Sequence, residues 1–311
     1  MKKLAVVVPC FNEVEVLPTT INVLLGLMAQ LVNENLITKD STIYFVDDGS
    51  SDATWHMIEE AIDVHVLVHG IKLSKNRGHQ NALMAGLCSV DADVVISVDA
   101  DLQDDLEAIR GMLIKHAEGA EIVFGIRNQR ATDTPFKRIS AEGYYRLLNF
   151  LGVDVVFNHA DYRLMGRAAI SALKQYSETN LFLRGIIPQL GFRTASVYYN
   201  RAERFAGESK YTLGKMLALA WEGLTSFSSL PLRWITIVGF VISVFSFGIA
   251  GWALVTRLFL ERAVPGWAST VIPMYFLGGI ELFSLGIIGE YVSKIYSETK
   301  RRPRYIIEKI L

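Results

Sequence analysis

Val98-Asp99-Ala100-Asp101-Leu102-Gln103-Asp104-Asp105, VDADLQDD, follows directly on the apolar run Asp93–Ser97, DVVIS. The run reads as a buried strand, and the seven residues from Asp99 to Asp105 carry four carboxylates on the loop that follows it. So many like charges at the end of a buried strand repel one another, and their spacing asks for a cation. Working outward, residues 1 to about 205 alternate apolar runs with amphipathic stretches. The runs are KLAVVVP, TIYFVDD, HVLVHGIKLS, DVVISVD and EIVFG, and helices are expected at about Glu15–Val32, after Asp52, after Gly78 and from Leu106. Continuous apolar strands separated by helices indicate an α/β fold with a mainly parallel sheet covered on both faces. Ligands in such sheets bind beyond the carboxyl ends of the strands, where Asn12-Glu13, Asp47-Asp48 and Asp99–Asp101 fall.

The chain has 311 residues, 51% of them hydrophobic and 20% charged, with a net charge of -1 and a mean hydropathy of +0.28. That mixture is too apolar for an ordinary soluble enzyme and too charged for a purely intramembrane protein. The balanced charge carries no nucleic-acid signature, and no nucleic-acid partner is expected. Cys10 and Cys88 have no C-x-x-C spacing, which speaks against a disulfide framework or structural zinc. The opening MKKLAVVVPCFNE holds Pro9, lacks a small-residue cleavage site and runs into Asn12 and Glu13, so it reads as a parallel strand rather than a signal peptide. Residues 234–255 and 271–292 are each long and apolar enough for a transmembrane helix, the second with Glu281 and Glu290 inside it. The loop between them carries Arg257 and Arg262, whereas the tail carries Lys294, Lys300, Arg301, Arg302, Arg304 and Lys309. This bias places the tail and the large N-terminal domain in the cytoplasm. The organisation expected is a cytoplasmic α/β domain over 1–205, juxtamembrane amphipathic helices over 206–233, a transmembrane hairpin over 234–292 and a basic tail over 293–311. Glu281 near the midplane is costly alone and is expected to be protonated or to meet another helix, across subunits if the chain is a homo-oligomer.

Neither G-x-G-x-x-G after the first strand nor G-x-x-x-x-G-K-[ST] occurs, so a dinucleotide dehydrogenase and a P-loop ATPase lose their main support. A divalent cation bridging carboxylates to a diphosphate is the natural substitute, and oxygen ligands select Mg²⁺ or Mn²⁺. Asp101 is expected on the metal, Asp99 beside it on metal or ribose, and Gln103 as a neutral ligand. Gly78 opens a helix whose N–H groups suit a diphosphate or sugar oxygen. His79 reads as a polar contact or structural histidine rather than a ligand, and Asp104 and Asp105 as favouring a helix N-terminus. Two basic clusters, Arg127, Arg130, Lys137 and Arg138, then Arg201, Arg204 and Lys210, suit a lipid phosphate, with Arg130 read as a solvated face.

The segments VVVPCFNE (6–13), VDDGSSD (46–52), NRGHQNALMAG (76–86), DADLQDD (99–105) and RAERFAGESKY (201–211) together resemble a family 2 glycosyltransferase of the GT-A fold. ADYRLM (160–165), GESKY and GIIGEYVSKIYSETKRRPRY (286–305) narrow the resemblance to polyprenyl-phosphate glycosyltransferases, particularly bactoprenol glucosyltransferases. The resemblance implies that Pro9, Asn12 and Glu13 line the nucleotide pocket and that Asp48 receives the uracil or ribose, although one acid of Asp47-Asp48 can serve as a turn former. It implies that Arg204, Ser209 and Lys210 contact phosphates and that Asp161 sits where a catalytic base is expected. The activity implied is inverting, metal-dependent transfer of a sugar, foremost glucose from UDP-glucose, to undecaprenyl phosphate at the inner face of a bacterial cell membrane. Transfer of mannose from GDP-mannose to a polyprenyl or dolichol phosphate, and a non-catalytic lipid-carrier scaffold, are the alternatives.

Overall fold

The structure, a computed structural model, describes residues 1–128, 159–178, 181–200, 230–259 and 266–311. The chain divides into two compact units, residues 1–212 with 301–311, and residues 213–300.

In the first unit, Leu4–Cys10 forms β1, in which every residue is buried, as a central parallel strand covered on both faces requires. Helix α1, Leu17–Asn33, buries Leu17, Thr20, Ile21, Leu24, Leu27, Met28 and Leu31, one stripe at three- and four-residue spacing. Then come β2 (Thr42–Asp47), α2 (Thr54–Val64), β3 (Val68–Leu73), α3 (His79–Ser89), β4 (Val94–Ser97), α4 (Ala108–Ala117) and β5 (Ile122–Arg127). Strand β6 (His159–Gly166), α5 (Arg167–Leu173), α6 (Leu183–Gln189), β7 (Thr194–Tyr199) and β8 (Ile307–Ile310) complete the unit. The sheet order is β7-β5-β6-β4-β1-β2-β3-β8. Strands β4, β1, β2 and β3 run parallel, β6 is antiparallel to both β4 and β5, and β7 is parallel to β5. The chain therefore leaves β1 toward β2 and β3 on one side and returns to β4 on the other. The fork between the carboxyl ends of β1 and β4 is the topological switch point, where ligands bind in such sheets.

Pro9 inside β1 costs the sheet no ladder bond. The Cys10 carbonyl accepts from Asp48 on the β2 side and the Val7 carbonyl accepts from Val98 on the β4 side. Alternation thus turns Pro9 toward β4, whose pairing with β1 ends at Val7–Ser97. Helix α3 packs close on the sheet, with Ala82 to Leu87 all buried. A Cβ added to Gly86 would lie 2.9 Å from Val46 Cγ2 and closer still to Val7 Cγ1. Gly86→Ala is therefore expected to cost about 1–3 kcal/mol through overpacking. Thermal melting should record a fall of several degrees, and an unchanged melting temperature would show that α3 can move.

The tail does more than carry charge. Strand β8 pairs antiparallel with β3, and Leu311 donates to Gly70 at 2.9 Å while Gly70 donates back at 3.1 Å. Lys72 with Glu308 at 3.0 Å and Lys309 with Glu59 at 2.9 Å flank this pairing. Arg304 donates to the Tyr176 carbonyl.

The second unit contains helices α7 (Leu230–Phe259) and α8 (Trp267–Thr299). Among the described residues one helix is long and apolar enough to cross a membrane, Phe276–Thr299, and the apolar stretch Trp234–Ser246 is shorter. Of the expected pair of spans, one candidate is present among the described residues by length and composition, and it lies nearer the C-terminus than the expected 271–292. Glu281 is exposed on α8. The expected juxtamembrane segment lies outside the described residues up to 229.

Candidate active site

Beyond β4 the backbone turns sharply. Leu102 adopts φ +50°, a left-handed conformation that a γ-branched side chain rarely takes. The Leu102 N–H points to the Asp99 carbonyl at 3.4 Å, and the Gln103 N–H donates to Asp101 Oδ1 at 3.2 Å. The turn puts Asp99 and Asp101 at the mouth of the β1–β4 fork and folds Gln103 inward, 5% exposed. Burial pushes Asp99 up to about 6; His79 opposes the rise and Asp104, Asp161 and Asp101 add to it. The side chain still shows 37% of its surface to solvent.

Strand β6 brings the second acid. Asp161 and Arg163, two residues apart, share one face of the strand and pair with each other. Arg184, from the start of α6, adds a fork: its Nε lies 3.3 Å from Asp161 Oδ1 and its Nη2 3.0 Å from Oδ2. Ser97 at the end of β4 donates to the Asp161 carbonyl. Burial alone would raise Asp161, but Arg184 and Arg163 outweigh it and hold the carboxyl well below the usual carboxylate range. Arg163 is 1% exposed, so its charge depends on Asp161 for compensation. His79, the first residue of α3, joins the two acids: its Nε2 is 3.7 Å from Asp99 Oδ1 and 3.8 Å from Asp161 Oδ2, close enough to pair with both when the ring is protonated. His79 thus faces both acids as the polar contact expected, and Arg184, absent from the sequence reading, joins the site.

The expected nucleotide-side residues take more structural positions than the sequence implied. Both oxygens of buried Asp48 accept backbone N–H groups, Oδ1 from Arg77 at 2.7 Å and Oδ2 from Gly78 at 2.8 Å. Burial raises the Asp48 carboxyl, and these two bonds oppose the rise. Asp48 is thereby turned onto the loop before α3 and takes the Gly78 N–H at the entrance of the helix whose N–H groups were expected to suit a ligand oxygen. Asp47 accepts the Ser50 N–H and serves as the turn former. Asn12, at φ +55°, donates its backbone N–H to Ser50 Oγ at 3.0 Å and accepts the Ser51 N–H at 2.9 Å, tying the β1–α1 loop to the β2–α2 loop. Glu13 donates its backbone N–H to Thr54 Oγ1 at 2.9 Å. Pro9 is buried in β1.

Arg127, expected to meet a lipid phosphate, donates to Asp104 at 3.2 Å and to the Tyr199 hydroxyl at 3.2 Å. Tyr199 donates to the same Asp104 oxygen at 2.6 Å. Asp104 is buried in this network rather than placed at a helix start, whereas Asp105 accepts the Glu107 N–H just before α4 as expected. Arg130, Lys137, Arg138, Arg201, Arg204, Ser209 and Lys210 lie outside the described residues.

The acids after β4 offer oxygen ligands of the kind that hard divalent cations take. Among the described residues no group of three or more His, Cys, Asp or Glu side chains could hold an ion by itself. Two carboxylates at a strand end, Asp99 raised by burial with the neighbouring acids adding to it, suit a cation that arrives with a diphosphate and takes its remaining ligands from phosphate and water, as Mg²⁺ does. Buried Gln103 is the weakest of the three expected ligands.

Residues 5–173 match the glycosyl transferase family 2. The uncharacterized glycosyltransferase YkoT of Bacillus subtilis is 50% identical over 307 residues, covering 98% of this chain and 91% of its own. The prophage bactoprenol glucosyl transferase homolog of Escherichia coli is 38% identical over 309 residues, covering 99% of both chains. The bactoprenol glucosyl transferase of Shigella phage SfII is 39% identical over 310 residues, covering 99% and 98%. A mycobacterial protein of known crystal structure shares the fold at a TM-score of 0.50 and 15% identity, over 72% of this chain and 73% of its own. The parallel sheet with acids at its switch point, the match through 5–173 and identities of 38–50% along whole chains lead to one conclusion: the chain belongs to glycosyl transferase family 2 and is a glycosyltransferase of the GT-A α/β fold.

Proposed function

We propose that the chain transfers glucose from UDP-glucose to undecaprenyl phosphate, producing a lipid-phosphate sugar at the cytoplasmic face of a bacterial membrane. The observation that carries this reading is His79 standing within 3.8 Å of an acid from the β4 loop and an acid from β6. Donor and acceptor sides then share one crevice. The names of the phage and prophage relatives support the lipid acceptor. Asp99 and Asp101, with Gln103, would hold Mg²⁺ or Mn²⁺, which would supply positive charge to the donor diphosphate. Asp48 fixes the loop beneath the donor. An acceptor phosphate oxygen attacks the anomeric carbon in line, the bond to the UDP oxygen breaks, and UDP leaves with the electron pair. Asp161, locked by Arg163 and Arg184, orients the acceptor or a sugar hydroxyl rather than collecting a proton. Arg204, Ser209 and Lys210 take the acceptor phosphate. Residues 234–255 and 271–292 anchor the domain as a hairpin, with both termini cytoplasmic, and the apolar Phe276–Thr299 supports the second span.

The test incubates the purified full chain with undecaprenyl phosphate and a panel of radiolabelled nucleotide sugars. Label from UDP-glucose should enter the organic phase. Label from GDP-mannose instead would select the mannosyl alternative, and a soluble sugar accepting as well as the lipid would overturn the acceptor. Arg204→Ala should raise the acceptor KM by about 10-fold or more, the value of a charge-assisted hydrogen bond, while the donor KM stays near wild type. Equal rises in both would remove Arg204 from the acceptor side.

A further inference from the structure

We infer that Gln80 is a positioning residue for sugar transfer: its side-chain oxygen holds α6 in place so that the Arg184 fork stays on Asp161. This rests on the reading of Asp161 as a residue of the transfer site. Leu183 is the first residue of α6, and the first N–H groups of a helix have no partner within it. The preceding Phe182 has no side-chain acceptor, and Leu183 is 0% exposed, so its N–H has no route to water. Gln80 Oε1 accepts that N–H at 2.9 Å from another helix, 103 residues earlier in the chain.

Both helices are packed, α6 through Leu183, Gly185, Ile186 and Ile187, but they differ in length and in how their entrances are tied. Helix α3 is pressed onto the sheet through Ala82–Leu87 and Gly86, and its entrance is tied down by Asp48 at Gly78. Helix α6 has only seven residues, with Pro188 inside it. Arg184 follows Leu183 directly, so the Gln80 bond sets where its guanidinium stands. A bidentate Arg–carboxylate pair is demanding in angle, and misplacing a group by about 1 Å at a reacting site can cost about 100-fold in rate. Adjacent residues of one helical turn thus serve both sides of the crevice, His79 facing the acids and Gln80 holding the helix that carries Arg184.

The test uses the full chain with UDP-glucose and undecaprenyl phosphate. Gln80→Met keeps the length and removes the acceptor; Gln80→Glu keeps an acceptor oxygen. Gln80→Met should lower kcat about 10-fold, with the donor KM within about twofold, and Gln80→Glu should recover most of the loss. In an Arg184→Met background, Gln80→Met should cost less than about twofold more, because both act through one contact; a merely structural role would give additive losses. Wild-type kcat in Gln80→Met, or full additivity with Arg184→Met, would overturn the inference. Full activity in Arg184→Met alone would instead defeat the reading of the Asp161 site on which it rests.

Discussion

Asp161→Asn is expected to lower transfer by about 100-fold or more, and by the same factor throughout about pH 6 to 9. The constant deficit is the diagnostic part. A phosphate monoester has its second pKa near ~6, so the dianion fraction rises over this range and the need for a base disappears. If Asp161 collected a proton from the acceptor, the variant would recover as pH rises. Arg184 and Arg163 instead hold Asp161 well below the usual carboxylate range, where it is a poor proton acceptor. Recovery to near wild-type rate at the alkaline end would establish base catalysis and defeat the orienting role. The variant should also lose about 3 kcal/mol of stability, because buried Arg163 is left without its counter-charge. Melting curves therefore accompany the rates. Arg184→Lys gives an independent handle on a more exposed side chain: it keeps the charge, loses the fork, and should reduce kcat about 10-fold with little change in melting.

Asp101→Asn should remove transfer by about 100–1,000-fold, the scale of losing one preorganised electrostatic partner for developing charge. Excess chelator should do the same to the wild-type chain, and Mg²⁺ or Mn²⁺ should restore it. The fold should not suffer, since Asp101 is one of the like charges that raise Asp99 and its removal relieves them. Full activity in excess chelator would sink the cation reading. A large fall in melting temperature would instead assign Asp101 to the architecture of the turn at Leu102.

The buried parallel strands were legible because a strand covered on both faces has to be apolar throughout, and β1, β2, β4 and β5 fall where their runs were read. Helix starts were legible to within about two residues. Strand β6 was not, because Asp161 and Arg163 break its apolar pattern in order to face the crevice. Strand β8 was hidden because Ile307-Glu308-Lys309-Ile310 lacks the apolar alternation of a half-buried strand, and the basic charges around it read as a cytoplasmic tail. In the site, acids at strand ends were visible as residues, whereas their partners were not. Nothing local says that Asp48 spends both oxygens on amides about 30 residues away, that Asp104 is buried beneath Tyr199, or that Arg184 reaches back to Asp161. Such pairings are properties of the fold and not of any window of sequence.

The placement of β8 sets an order of assembly. Lys72 and Glu308 are 236 positions apart, and both apolar helices are synthesised between them. While the ribosome works through those helices, β3 presents an open strand edge, the feature of a sheet most prone to pair with the wrong chain. Only residues that emerge after both helices can close it, so until then the nascent sheet carries an aggregation-prone edge that a helper protein would shield. Anything fused after Leu311, whose backbone is bonded on both sides to Gly70, must leave along that same edge.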